Sequence, residues 1–160
     1  MIAALACSGG SRAEIAPTQW VEWSDGEIGF GFSHPSDWTL EETENLVSVT
    51  NAAGTAQISI GWRDLTAGET VAQLADQLVA ITLSDLTDPT VVPVRQEDGD
   101  TVELTLTGVD SDGVRWVHHF VVSSGGNRTL VVQTIAREDI LEAAQAVFES
   151  VLTSLATTEE

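Results

Sequence analysis

The chain has 160 residues, enough for one domain of ordinary size with a short appendage, and 42% of them are hydrophobic, so it can build a core. Twenty-five acidic residues face six basic ones, all arginine, for a formal net charge of −19. That balance argues against nucleic-acid binding, which depends on neutralising phosphates, and against docking the domain surface on anionic lipid. It serves solubility and colloidal repulsion, and a salt-adapted source would carry the same bias. No apolar run reaches the ~18 residues of a membrane-spanning helix. The single cysteine excludes an internal disulfide and a Cys-based zinc cage.

At the N-terminus, "MIAALACSGGS" sets small residues directly before Cys7 and Ser and Gly after it. The stretch resembles the end of a bacterial lipoprotein signal. On that resemblance the cut follows Ala6, and Cys7 becomes a lipid-carrying, palmitoylated N-terminus. Ala4 stands where such signals usually have leucine, and the apolar run of about six residues is shorter than the ~7–15 of a full signal. Residues 1–7 are therefore expected to be a truncated signal segment. Residues 8–18, "SGGSRAEIAPT", are expected to be a flexible tether. A Gly/Ser-rich chain of that length averages about 20 Å end to end. That is about two screening lengths at physiological salt, so an acidic domain can stand clear of an acidic membrane.

From Gln19 the pattern runs strands, helix, strands, helix. "QWVEW" and "EIGFGFS" are short aromatic-rich strands joined by the hairpin signal "SDG". "WTLEE" and "LVSVT" follow, and "AQISIGW" alternates Ala56, Ile58, Ile60 and Trp62 against Gln57 and Ser59. Thr66 and Glu69 have the spacing of a capping box, and Val71, Leu74, Ala75, Leu78 and Val79 form one apolar helical face that "LTDP" ends. "TVVPVRQ", "TVELTLTGV", "VRWVHHFVV" and "RTLVVQTIA" read as a meander with turns at "EDGD", "DSDG" and "SSGGN". A last helix is expected from Arg137–Asp139, burying a stripe from Ile140 to Leu155, with 157–160 as a frayed tail. The last two meander strands are apolar on both faces, as central strands covered on each side would be. The expected fold is therefore α+β, a mostly antiparallel sheet flanked by helices on both faces in an α/β/α sandwich.

The segment "GFGFSHPSDW" invites a catalytic reading and does not sustain it. Its glycines lie inside an alternating run and Pro35 blocks a helix, so no phosphate loop forms. Ser33 and His34 are neighbours in extended chain and point to opposite faces, so they do not pair as nucleophile and base. A strand with Phe30 and Phe32 toward the core, a proline turn and a new strand at Trp38 is the expectation. Here the chain resembles the PsbP/Mog1-like domains. Their N-terminal part reads as an aromatic-rich strand, G-x-x-F-x-x-P-x-x-W, short strands, a helix, a meander and a closing helix. The resemblance covers residues 19–156 and implies an accessory or binding domain, secreted or lipid-anchored, without assigning it an activity.

The remaining candidates are weaker. His118 and His119 are adjacent in a strand, face opposite sides and do not share a metal, so no metal site and no cofactor are expected. Asp110 and Asp112, and Asp98 and Asp100, sit in turns that lack the twelve-residue loop and closing Glu of a calcium hand. Trp20 and Trp23 lie where tether meets domain; exposed they form an aromatic binding patch, packed they are core, and core is the favoured reading. The functional expectation is a non-enzymatic binding or scaffolding domain on the extracytoplasmic side of the cell membrane. It is held there by lipid on Cys7 and serves a cell-envelope protein partner. The alternatives are a secreted hydrolase using paired carboxylates and a calcium-dependent adhesion or assembly module.

Overall fold

A computed structural model describes residues 19–26, 29–97, 100–125 and 128–157, together with Ile15 and Pro17. Cys7 and the turn aspartate Asp98 lie outside the described residues. Among the described residues there are ten strands and two helices; the first nine strands and both helices follow the expected order, and a short tenth strand after the last helix adds to it. The strands are β1 (Trp20–Asp25), β2 (Phe30–Pro35), β3 (Thr39–Thr43), β4 (Leu46–Thr50), β5 (Ala56–Arg63), β6 (Thr87–Glu97), β7 (Thr101–Val109), β8 (Arg115–Gly125), β9 (Arg128–Arg137) and β10 (Ala156–Thr157). Helix α1 (Val71–Ser84) separates β5 from β6, and α2 (Leu141–Ser154) follows β9 after one 3-10 turn at Glu138–Ile140.

Seven strands form one sheet in the order β3-β4-β5-β9-β8-β7-β6, and β1, β2 and β10 form a second, smaller one. Every pairing is antiparallel. The chain leaves the large sheet after β5, builds α1 and the β6–β8 meander, and returns as β9 directly beside β5. This long-range pairing places residues 56–63 against 129–136 and joins the two halves.

Period two in the strands divides the side chains between two apolar clusters. Ile58 and Ile60 on β5, Val47 and Val49 on β4, and Val132 on β9 meet Val147, Phe148 and Val151 of α2, with Phe30, Phe32, Trp38 and Trp62 closing the cluster. Leu104 and Leu106 on β7 and Phe120 and Val122 on β8 meet Val71, Leu74 and Ala75 of α1. In β9 the neighbours Val132 and Val131 go to different clusters. The layered expectation therefore holds in part. The sheet is antiparallel and carries two helices, but helical cover is incomplete: α1 meets β7 and β8, and α2 meets β2 and β9.

Several local details differ from expectation. The N-cap of α1 is Thr70, whose side chain accepts from the Gln73 amide while Gln73 reaches back to the Thr70 amide. The Thr66–Glu69 pair closes the turn just before it, with the Thr66 amide donating to Glu69 at 3.0 Å. Sequence spacing does not separate two such boxes four residues apart. Ala156 and Thr157 do not fray but pair with Gly31 and Phe30. Ile15, within the stretch expected to be tether, is buried at 2% exposure in the α2 cluster.

Candidate functional site

The opening segment behaves as structure. Phe30 and Phe32 are buried, and Trp23 packs on both with ring centroids 5.6 and 5.1 Å away. A Cβ on Gly31 would come within 2.8 Å of the Trp23 carbonyl oxygen, so only glycine fits where β1 crosses β2 so closely. The Ser33 amide donates to Ser154 Oγ of α2 at 2.8 Å, while the buried His34 donates through Nδ1 to the Pro35 carbonyl at 2.9 Å. The Ser33 backbone and the His34 ring are thus tied to different partners, and the two side chains do not meet.

Trp20 and Trp23 do not come together. Three residues apart on one strand, they leave it on opposite sides. Trp20 is 40% exposed, whereas Trp23 is half-buried and donates Nε1–H to Glu42 at 3.2 Å. The two adjacent histidines also separate, as alternation requires. His119 lies between Thr105, 3.1 Å from Nδ1, and Glu103, 3.0 Å from Nε2. His118 is on the other face, stacked near Phe120, with Gln133 Nε2 donating to its Nδ1 at 3.3 Å.

His118 opens onto a cavity that the sequence pattern does not announce. One of the three histidines, His118, and two aspartates, Asp85 and Asp110, share a hollow of about 280 Å3. Its floor is a cross-strand row, Gln57 of β5, Ile135 of β9 and His118 of β8, each the register partner of the next. One wall is the end of α1, Asp85 and Leu86; another is the β4–β5 hairpin, through Thr50 and Gly54. Asp110 and Trp116, at the foot of β8, complete it.

Each wall has a local cause. Asp85 caps α1, donating its amide to the Thr82 and Leu83 carbonyls, so the helix stops before it covers this row. Leu86 then lies flat on β7 because residue 108 is glycine; a Cβ there would sit 2.8 Å from that of Leu86. In the hairpin, Asn51 Oδ1 accepts from the amides of Thr55 and Ala56, at 2.8 and 3.1 Å, and Gly54 takes the positive φ of 67° that the turn demands.

The "DSDG" turn, weighed as a calcium loop, is a self-satisfied hairpin. Asp110 Oδ1 accepts from the amides of Asp112 and Val114, both at 2.9 Å, and Oδ2 accepts from Trp116 Nε1 at 2.7 Å. The Trp116 donor, and after it the Val114 amide, hold the Asp110 carboxyl below its ordinary value, so it stays ionised. Burial lowers the proton affinity of His118 as well, which for a base leaves the imidazole neutral at neutral pH. Two carboxylates and a histidine therefore meet, and the lowered Asp110 carboxyl is the opposite of the raised one that a glycosidase-type acid needs. Among the described residues, no group of three or more His, Cys, Asp and Glu could hold a metal ion.

From sequence, Trp116 and Asp85 are not singled out, and Asp110 is weighed only as part of a calcium loop. The only available signal is an aspartate six positions before a tryptophan across a tight turn, and the remaining walls come from residues far away in the chain.

No family model matches this chain. One curated protein, ice-binding protein 1 of Shewanella frigidimarina, is 36% identical over 95 residues, 58% of this chain; the chain spans only 10% of that protein's length. A Bacteroides thetaiotaomicron crystal structure matches over 87% of this chain and 48% of its own, with a TM-score of 0.57 and 16% identity. The solution structure of cyanobacterial PsbP from Synechocystis matches over 96% of this chain and 98% of its own, with a TM-score of 0.55 and 16% identity. At such identities the likeness speaks for architecture. Near end-to-end coverage of a single-domain PsbP agrees with the strand and helix order described above: the fold of this chain is PsbP-like.

Proposed function

We propose that this chain is a lipid-anchored, extracytoplasmic, non-catalytic domain that acts by binding, with the cavity beside Trp116 as its site. The cavity carries the reading. It joins an indole held at its N–H edge and the apolar side chains of Leu86 and Ile135 to Asp110 and His118, both already committed to structural partners. That arrangement is suited to holding a ligand and poorly suited to moving protons. The PsbP-like architecture supports a scaffold with helices layered on both faces of the sheet. Cys7 and the small residues before it support export and anchoring. Trp20, left open at the end of the domain nearest the tether, is the surface offered to a cell-envelope protein partner. Ice binding is not carried over from the Shewanella protein, of which the chain spans 10%.

Among the described residues no helix is long and apolar enough to cross a membrane, so this reading places all anchoring on Cys7. Labelling cells of the source organism with a radioactive fatty-acid precursor and fractionating them tests it. The protein is expected in the membrane fraction carrying label, and Cys7→Ala is expected to release it unlabelled. An unlabelled protein whose distribution ignores Cys7→Ala would refute the anchor.

A further inference from the structure

The character of the cavity points to a class of ligand, and this step rests on the binding reading above. We propose that the site beside Trp116 takes a small organic cation whose charge is spread over methyl or alkyl groups, such as a quaternary ammonium.

The electrostatics of the walls have one sign. Asp85 and Asp110 both line the cavity, and among the described residues no arginine does. Two arginines close by in the chain or the sheet are engaged with other carboxylates: Arg137, the register partner of Trp116, forms a two-point pair with Asp139 at 3.0 and 2.6 Å, and Arg115 lies 3.7 Å from Asp88 and 3.9 Å from Glu138. Helix α1 ends at the cavity wall with no basic residue in its last turn, so the negative end of its dipole adds to the field. His118 is neutral at neutral pH and does not offset it.

The distribution of acceptors decides which cation fits. Asp110 already receives three hydrogen bonds, two from backbone amides and one from the indole. A metal ion or a primary ammonium demands bare oxygen ligands to replace its water, and this carboxylate has few lone pairs left to give. What the site offers is field and surface. The Asp110 carboxylate fixes the Trp116 ring by its N–H edge, which leaves the indole's electron-rich face as its means of contact, and Ile135 and Leu86 supply apolar area. A weakly hydrated ammonium gains most from an aromatic face with anions behind it. An anion would meet two carboxylates and a helix C-terminus, and a neutral solute would forgo the field.

Choline tests this against two analogues of the same shape: the alcohol in which a tert-butyl group replaces the trimethylammonium, and the corresponding tert-butyl carboxylate. Each is titrated into the intact protein, with calorimetry for affinity and the Trp116 indole proton resonance for location. Choline is expected to bind about tenfold or more tighter than the alcohol, and the carboxylate to bind least. Trp116→Leu and Asp110→Asn are each expected to weaken choline several-fold, with thermal melting confirming that the variants fold. Phosphocholine separates a free solute from a lipid headgroup as the source of the cation. Its phosphate is expected to weaken binding; binding as tight as that of choline would overturn the argument from the field. Equal affinity for choline and the alcohol would refute the cation while leaving a binding cavity in place. Failure of all three shapes to move the Trp116 resonance would end the ligand proposal, and anchoring would still be judged by Cys7→Ala.

Discussion

Around α2 the described residues include sixteen buried apolar side chains, five of them aromatic, drawn from both sheets and the helix. Around α1 there are seven, with Phe120 the one aromatic ring. Both clusters sit on the same large sheet, yet the first is larger and more aromatic, and the second stops beside an open hollow. The difference lies in what covers each. Helix α2 is backed by a second layer, β2 of the small sheet, and Phe148 meets Trp38 edge-on with centroids 6.4 Å apart. Among the described residues helix α1 packs on β7 and β8 of the large sheet without a second layer behind it, and Asp85 caps it before it reaches the row Gln57, Ile135 and His118. The domain is thus stabilised most where its surface is closed and keeps its cavity where closure fails, a division common to binding domains on rigid scaffolds.

The largest expected effect breaks the closed cluster. Phe148→Ala removes a ring that is 4% exposed, and urea unfolding is expected to report a loss of about 3–5 kcal/mol. In the α1 cluster, Leu106→Ala removes a side chain at 0% exposure. The expected loss is smaller, about 2–3 kcal/mol, because neighbours beside an open hollow can settle into the space. Equal losses at the two sites would mean that the α1 side is as tightly locked as the α2 side, and the contrast would go.

The smallest effect sharpens the contrast by pH. Burial keeps the proton affinity of His118 below its ordinary value of 6.5. As pH falls through that value the unfolded chain takes up the proton first, so stability declines; the decline levels off once the folded imidazole is also protonated. Thermal melts at steps from about pH 8 to about pH 5 are expected to show this dip in the native protein and to lose it in His118→Gln. A profile unaffected by the substitution would place His118 in water and not in the wall of a cavity.

The folding pattern was open to reading wherever the reason was local. Alternation in "AQISIGW" became β5 with Ile58 and Ile60 buried, and the helical stripe beginning at Val71 became the buried face of α1. Pro35 and the extended geometry of Ser33 and His34 were enough to deny the catalytic reading, and the two serve structure. Less legible were features where two local signals compete. Thr66/Glu69 and Thr70/Gln73 both have capping spacing, and the packing of Val71 and Leu74 on β7 and β8 selects the second. Trp20 and Trp23 are alike in sequence context, but only Trp23 reaches Phe30 and Phe32.

Composition, charge and the two periodicities determined by themselves an acidic α+β domain and the succession of its elements along the chain, because side-chain spacing dictates which face each element must bury. The PsbP-like architecture was implied by the resemblance around "GFGFSHPSDW" and not by spacing. Tertiary structure alone decided where the burial stops. The cavity needs Thr50 and Gln57, Asp85 and Leu86, Asp110 to His118, and Ile135 in one place. They meet because β9 returns beside β5 and Gly108 admits Leu86, and neither a long-range pairing nor a close approach leaves a trace in the spacing of neighbouring residues.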